Sequence, residues 1–277
     1  MKPVEPIYTV ELFPPLSREL LGVLKALQPT DWARPTACSG WSVKDVAAHL
    51  LGGNLGRLWN RDETLASSKD PALLYDELVS IINEDNELWV QAAQRISPEI
   101  LIQFIDLTDR HLYDHFKRLK PDEPARIAVA WAGNSLSPNW FDIAREYTEK
   151  WLHQQHIREA VGRPLLTERE WLFPILDTFL RALPHHYRNV EAGNATSVSL
   201  HISGQAGGEW TLMRQGFYWQ LFAGHDPQAT ARVHMDQDLA WRLFTKGANM
   251  EKAARQVKIE GNVALAEHVL DLISIMA

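Results

Sequence analysis

The sequence predicts an α+β protein in which a bundle of helices precedes a small sheet domain. From about residue 17 to residue 188, apolar residues recur at three- and four-residue spacing, the period of a helix. From residue 197 the period changes to two, because Val198, Leu200 and Ile202 alternate with polar residues. The chain has 277 residues, and domains average roughly 150 residues. We therefore predict a helical domain over 1–190 and an α+β domain over 191–277.

The first segment has room for five or six helices, several of which start at recognisable N-terminal signals. Ser42 followed by Asp45 has the pattern of a capping box, and Thr167 with Glu170 is similar. The predicted helices that carry a start signal or a 3.6-residue stripe begin near Ser42, Ala72, Ser97, Ser137 and Thr167. An antiparallel bundle is the expected packing of such helices.

The second segment alternates between strand and helix patterns. Strands are predicted over 197–203, 209–215, 217–224, 229–235 and 255–262. Helices are predicted over 236–247 and 263–277. A terminal helix of that length is expected to cover one face of the sheet.

Composition and charge exclude several classes of function. The formal net charge is −7, which gives no general attraction to nucleic acid or to an anionic membrane. Cys38 is the single cysteine, so there is no internal disulfide and no cysteine-rich zinc or iron–sulfur site. No segment reaches about 18 consecutive apolar residues, and the N-terminus lacks a signal-peptide pattern. We expect a cytoplasmic monomer or homodimer that acts on a small molecule.

The strongest candidate for chemistry is a set of histidine and glutamate side chains on two helices. Glu149 and His153 stand four residues apart, so both project from one helix face and can reach one ion. His49 lies on the face of an earlier helix that points toward a neighbour. Asp142 and Glu146 continue the line of ionisable residues along the helix of Glu149 and His153, and we call this line the stripe. The competing interpretation is that the stripe is a charged helix face in contact with solvent.

Other histidines and the cysteine offer weaker alternatives. His111 and His115 also stand four residues apart and form a rival pair, although their charged neighbours favour a solvated helix end. The adjacent His185 and His186 point to different sides of a helix. Nothing in the sequence indicates a histidine or aspartate partner for Cys38, so packing is its expected role.

Three runs of sequence together resemble one family. DWARPTACSGWSVKDVAAHLLGG, AWAGNSLSP and REYTEKWLHQQHIREAVGRP look like the mycothiol-dependent maleylpyruvate isomerase family of the DinB-like superfamily. The run LAWRLFTKG and the C-terminal residues from Val257 are similar to a sterol-carrier-like domain. The resemblance implies a four-helix bundle that holds a divalent transition metal, zinc or alternatively nickel, through His49, Glu149 and His153.

The chain departs from the family pattern at His156. This residue either orients a ligand or replaces Glu149 through an H-x-x-H chelate. The family implies a metal-dependent isomerase or thiol transferase that uses a low-molecular-weight thiol such as mycothiol on a small electrophile. The alternative is a non-catalytic, metal-containing carrier of a hydrophobic ligand. No catalytic residue is assigned, and the candidate substrate contacts are Trp41, Trp131 and Arg242.

Overall fold

A computed structural model of the chain describes residues 1–59, 75–133, 136–248, 253 and 255–275, without the side chains of 75, 76 and 78. It confirms the predicted α+β class, with helices in the N-terminal part and a six-stranded sheet built from residues 2–3 and from five strands between residues 197 and 261. The described chain forms two compact units, one from 9–123 and 146–165, the other from 1–8, 124–145 and 166–275. The proposed domain division at residue 190 stays a prediction. Across the described ranges, no helix combines the length and the apolarity that a membrane span requires.

The first unit is helical. Its helices are α1 (Phe13–Lys25), α2 (Val43–Leu58), α3 (Tyr75–Ala93), α4 (Pro98–Arg118) and the C-terminal half of α5 (Asn139–Ala160). Helix α2 packs against α3 and α4, and α1 packs against α4. The predicted start near Ala72 lies outside the described residues. The four-helix arrangement that the family resemblance implies also stays a prediction.

The predicted capping box at the start of α2 is confirmed. The Ser42 hydroxyl accepts from the Asp45 backbone N–H, and the Asp45 carboxylate accepts from the Ser42 N–H at 2.9 Å. These bonds satisfy two backbone donors that would otherwise be unpaired at the helix start. They also fix the register of the helix that carries His49, seven residues further on.

A glycine in α2 allows close packing against α3. A Cβ atom at Gly52 would fall 2.6 Å from Cδ1 of Trp89, and the indole N–H of Trp89 already donates to the Ala48 carbonyl at 2.7 Å. Gly52→Ala is therefore expected to lower the free energy of unfolding by about 1–3 kcal/mol through overpacking.

Gly56, one turn later in α2, provides the matched control. Among the described residues, no atom outside the local backbone of α2 lies within 4 Å of a Cβ atom at Gly56. Gly56→Ala is expected to be neutral or to stabilise by up to about 1 kcal/mol. Urea unfolding followed by helical circular dichroism measures both variants. Equal free energies of unfolding for the two variants would contradict the predicted clash between a Cβ atom at position 52 and Trp89.

The second unit combines a mixed sheet with short helices. The strands are β1 (Lys2–Pro3), β2 (Ser197–Ser203), β3 (Gly208–Gln215), β4 (Tyr218–Ala223), β5 (Ala231–Asp236) and β6 (Lys258–Gly261). Their order is β1-β4-β3-β2-β5-β6, with β2 and β5 parallel and the other pairs antiparallel. The helices are α6 (Arg169–Leu180), α7 (Leu183–His186), α8 (Gln237–Phe244) and α9 (Val263–Glu267).

Two predicted helix boundaries in this unit are wrong. Helix α6 has Glu168 at its N-cap rather than Thr167. The terminal helix predicted over 263–277 ends at Glu267 and continues only as a 3₁₀ turn over His268–Asp271. Beyond it, the Ser274 backbone N–H donates to the Phe244 carbonyl and its hydroxyl to the Phe179 carbonyl, each at 2.9 Å. These bonds hold the residues after the 3₁₀ turn in a non-helical conformation against the C-terminal ends of α8 and α6.

Candidate metal centre

Three side chains from two helices converge inside the helical unit. Nε2 of His49 on α2 and Nε2 of His153 on α5 each lie 3.0 Å from Oε1 of Glu149. The two imidazole rings are 4.6 Å apart between centroids. The histidine side chains are only 13% and 12% exposed, whereas Glu149 is 36% exposed. The two imidazoles are therefore largely buried, and the Glu149 side chain is the most exposed of the three.

The helix geometry explains this convergence. Glu149 and His153 are one turn apart on α5, so their side chains share one face. On the other side of the cluster, the Trp41 ring lies 5.0 Å from the His49 ring, and its indole N–H donates to Glu87 on α3 at 3.2 Å. Trp41 thus packs beside His49 and is held there by its bond to α3.

The electrostatics of the cluster favour a cation. Burial alone would raise the pKa of Glu149, but the charge and hydrogen bonds of His153 and His49 outweigh this effect and hold that pKa well below its ordinary value. Glu149 is therefore an anion at neutral pH. A carboxylate flanked by two imidazoles is a donor set that divalent transition metals accept.

The spacing of the donor atoms also fits such an ion. In a tetrahedral zinc site with bonds of 2.0–2.1 Å, neighbouring ligand atoms lie about 3.4 Å apart. The two His-to-Glu149 distances of 3.0 Å are close to this value, and all three donor atoms lie within 4.8 Å of one another. With three protein ligands, such an ion would retain an open coordination position, as in catalytic zinc sites.

A second group of donors lies on the opposite edge of His153. Sγ of Cys38 is 3.1 Å from Nδ1 of His156 and 3.7 Å from Nδ1 of His153. The expectation that Cys38 only fills space is therefore incomplete, because the structure supplies two histidine partners. Burial raises the pKa of the Cys38 thiol to about 11, the Thr36 hydroxyl opposes this shift, and the charge of Glu149 adds to it.

The remaining acids of the predicted stripe are paired with arginines. Glu146 is buried and accepts from Nε of Arg57 at 3.0 Å, and Asp142 is buried and accepts from Arg145. The interpretation of this stripe as a solvated charged face is wrong, because both acids are at most 5% exposed. Their charges are neutralised by these partners.

A polar network inside the helical unit anchors α5 next to Glu149. Nζ of Lys150 donates to Asn54 at 2.5 Å and to Asp109 at 3.0 Å. Asp109 also accepts from the Asn54 amide at 2.8 Å and from the Ser17 hydroxyl at 2.5 Å. Sequence reasoning missed this network because its members come from four helices and share no local spacing. It fixes the rotation of α5 and hence the direction of Glu149 and His153.

The rival histidine pair lies elsewhere. His111 is exposed on α4, and within the described part of the chain the convergent groups of three donors include neither His111 nor His115. Trp131 is buried against Phe141, with ring centroids 5.8 Å apart. Arg242 pairs with Asp238 at 3.1 Å and stacks on Trp241. The assignment of Trp131 and Arg242 to substrate stays a prediction.

Comparison with known proteins identifies the family. The sequence model described as the mycothiol maleylpyruvate isomerase N-terminal domain matches residues 13–158, more than half of the chain. The chain belongs to this family. The candidate metal ligands Cys38, His49, Glu149, His153 and His156 all lie within the matched residues. No curated protein sequence matches the chain.

Solved structures show the same fold. A crystal structure of the mycothiol-dependent maleylpyruvate isomerase aligns with a TM-score of 0.53 at 12% identity, covering 92% of each chain. A histidine-to-alanine mutant of that enzyme aligns with a TM-score of 0.54 at the same identity and coverage. At this identity the similarity establishes the fold of the chain alone. The expected sterol-carrier-like character of its C-terminal part stays a prediction.

Proposed function

We propose that the chain is a metal-dependent isomerase or transferase that uses a low-molecular-weight thiol, such as mycothiol, on a small electrophile of the maleylpyruvate type. The observation that carries the proposal is the convergence of His49, Glu149 and His153 in the segment that matches the family. Zinc is the proposed ion and nickel the alternative, since imidazole and carboxylate ligands suit both. When bound, such an ion lowers the pKa of a coordinated thiol and makes a nucleophile available at neutral pH.

The residues of the chain would prepare this chemistry in distinct ways. Glu149 supplies the negative charge that attracts the cation, and its exposed edge leaves room for the thiol. Ligation through Nε2 requires the proton of each imidazole to sit on Nδ1. At His153, Nδ1 faces the Cys38 sulfur at 3.7 Å, and in that tautomer the sulfur can accept from the Nδ1–H group. Trp41 provides an apolar wall beside His49, where an organic substrate would pack.

The test is an assay of maleylpyruvate isomerisation by the purified chain. We expect turnover that needs both mycothiol and about one divalent ion per chain. A chelator should abolish turnover and zinc should restore it. The helical circular dichroism should persist throughout, because the core of the helical unit is formed by apolar residues rather than by the ion. Glu149→Gln should be inactive, and His111→Ala should retain activity. Turnover that is unaffected by chelator would reject the metal-dependent proposal.

A carrier of hydrophobic ligands is the second candidate function. The sheet unit has a cleft of about 310 Å³, near the lower limit of small-molecule sites. Its lining includes Trp140, Trp219 and Leu221. The carrier would be favoured over the enzyme by two results together. The chain would bind a hydrophobic fluorescent dye tightly whether or not chelator is present, and it would show no thiol-dependent turnover.

A further inference from the structure

Cys38 lies in a turn whose backbone is held by several hydrogen bonds. The Trp41 backbone N–H donates to the Cys38 carbonyl at 3.0 Å, which closes a four-residue turn. Gly40 stands at the third position of that turn with φ +80°, the left-handed conformation that a type II turn requires there. The Thr36 hydroxyl accepts from the Cys38 N–H at 3.2 Å and donates to the Trp41 carbonyl at 2.9 Å. The backbone therefore holds the sulfur next to α5 immediately before α2 begins.

The Cys38 sulfur lies near two imidazole nitrogens, at distances typical of ligand atoms that bind the same metal ion. In a tetrahedral site with zinc–sulfur bonds of about 2.3 Å and zinc–nitrogen bonds of about 2.05 Å, sulfur and nitrogen lie about 3.6 Å apart. The distances from Cys38 Sγ are 3.1 Å to His156 and 3.7 Å to His153. The donor atoms of Cys38, His153 and His156 all lie within 4.8 Å of one another.

We propose that Cys38, His153 and His156 form a second, sulfur-containing metal site that competes with the His49/Glu149/His153 site for His153. A neutral imidazole has one nitrogen lone pair free for a metal and a proton on its other nitrogen. His153 therefore serves one ion at a time, through Nε2 in the first site or through Nδ1 in the second. Soft ions such as Cd²⁺ select the thiolate site, and harder ions select the carboxylate site.

The proposal is tested with Cd²⁺ and the variant Glu149→Gln, which weakens the first site with little change in side-chain shape. We expect this variant to bind about one Cd²⁺ per chain and to show sulfur-to-cadmium charge-transfer absorption in the ultraviolet. Adding Cys38→Ser should remove that absorption, and adding His156→Ala should weaken Cd²⁺ binding by at least about 10-fold. Helical circular dichroism verifies that each variant is folded.

Two results would overturn the proposal. One is a folded Glu149→Gln protein that binds no Cd²⁺, and the other is bound Cd²⁺ without charge-transfer absorption. Cys38→Ser in the otherwise unchanged chain is the complementary control. It should retain the ion in the carboxylate site, because none of that site's ligands is altered. Loss of all metal from this control would equally contradict two separable sites.

Discussion

Replacing His153 with alanine is expected to lower the affinity of the chain for zinc by more than about 100-fold, since loss of a group that only orients a ligand already costs about 10- to 100-fold. His153 faces Glu149 through Nε2 and Cys38 through Nδ1. Its removal therefore takes one ligand from each of the two proposed donor groups. No other substitution in the cluster is expected to have so large an effect on metal binding.

Competition with a chromophoric chelator measures this affinity. His111→Ala is the matched control, because it removes an exposed imidazole from α4 and should leave the zinc affinity unchanged. If His153→Ala retains zinc while His111→Ala loses it, the metal lies at the rival pair on α4 and the donor assignment fails.

Replacing Asp109 with alanine is expected to lower the free energy of unfolding by about 3–5 kcal/mol, because it leaves the buried charge of Lys150 without its counter-ion. The two side chains are 8% and 10% exposed and 3.0 Å apart. The substitution also removes the acceptor of the Ser17 hydroxyl. The same change should weaken metal binding, since Lys150 holds the turn of α5 that presents Glu149.

Asp106, one turn earlier on α4, is the control for this effect. It pairs with Arg110 at 2.9 Å, but the side chains of Asp106 and Arg110 are 43% and 68% exposed. Such surface pairs contribute at most about 1 kcal/mol, so Asp106→Ala should unfold at nearly the same urea concentration as the unchanged chain. Similar losses for both substitutions would contradict the role of burial in the Lys150 network.

Local signals in the sequence were sufficient to predict most elements of the fold. The Ser42 cap depends on residues within one helical turn. The alternation of Val198, Leu200 and Ile202 with polar residues has the two-residue period of a strand, and these three side chains are buried in β2. The terminal helix could not be predicted correctly, because its end is set by bonds from Ser274 to carbonyls of distant helices. Such long-range competition for hydrogen bonds leaves no local pattern.

The candidate site likewise has some features that the sequence predicts and others that it does not. The i, i+4 spacing of Glu149 and His153 is visible in the sequence, whereas the position of His49 opposite them rested on the family resemblance. The contacts of Cys38 with His153 and His156 join residues 115 and 118 positions apart. Lys150 and Asp109 likewise meet only through the packing of α5 on α4. These contacts depend on tertiary packing, which composition and periodicity do not specify.

The location of the ion tests the account most directly. The measurement is anomalous X-ray diffraction at the zinc edge from crystals of zinc-loaded Cys38→Ser protein, in which the proposed sulfur site is disabled. We predict one strong peak per chain at about 2.0–2.2 Å from Nε2 of His49, a carboxylate oxygen of Glu149 and Nε2 of His153. A protein without bound zinc, or a peak coordinated by other residues such as His111 and His115, would contradict the account.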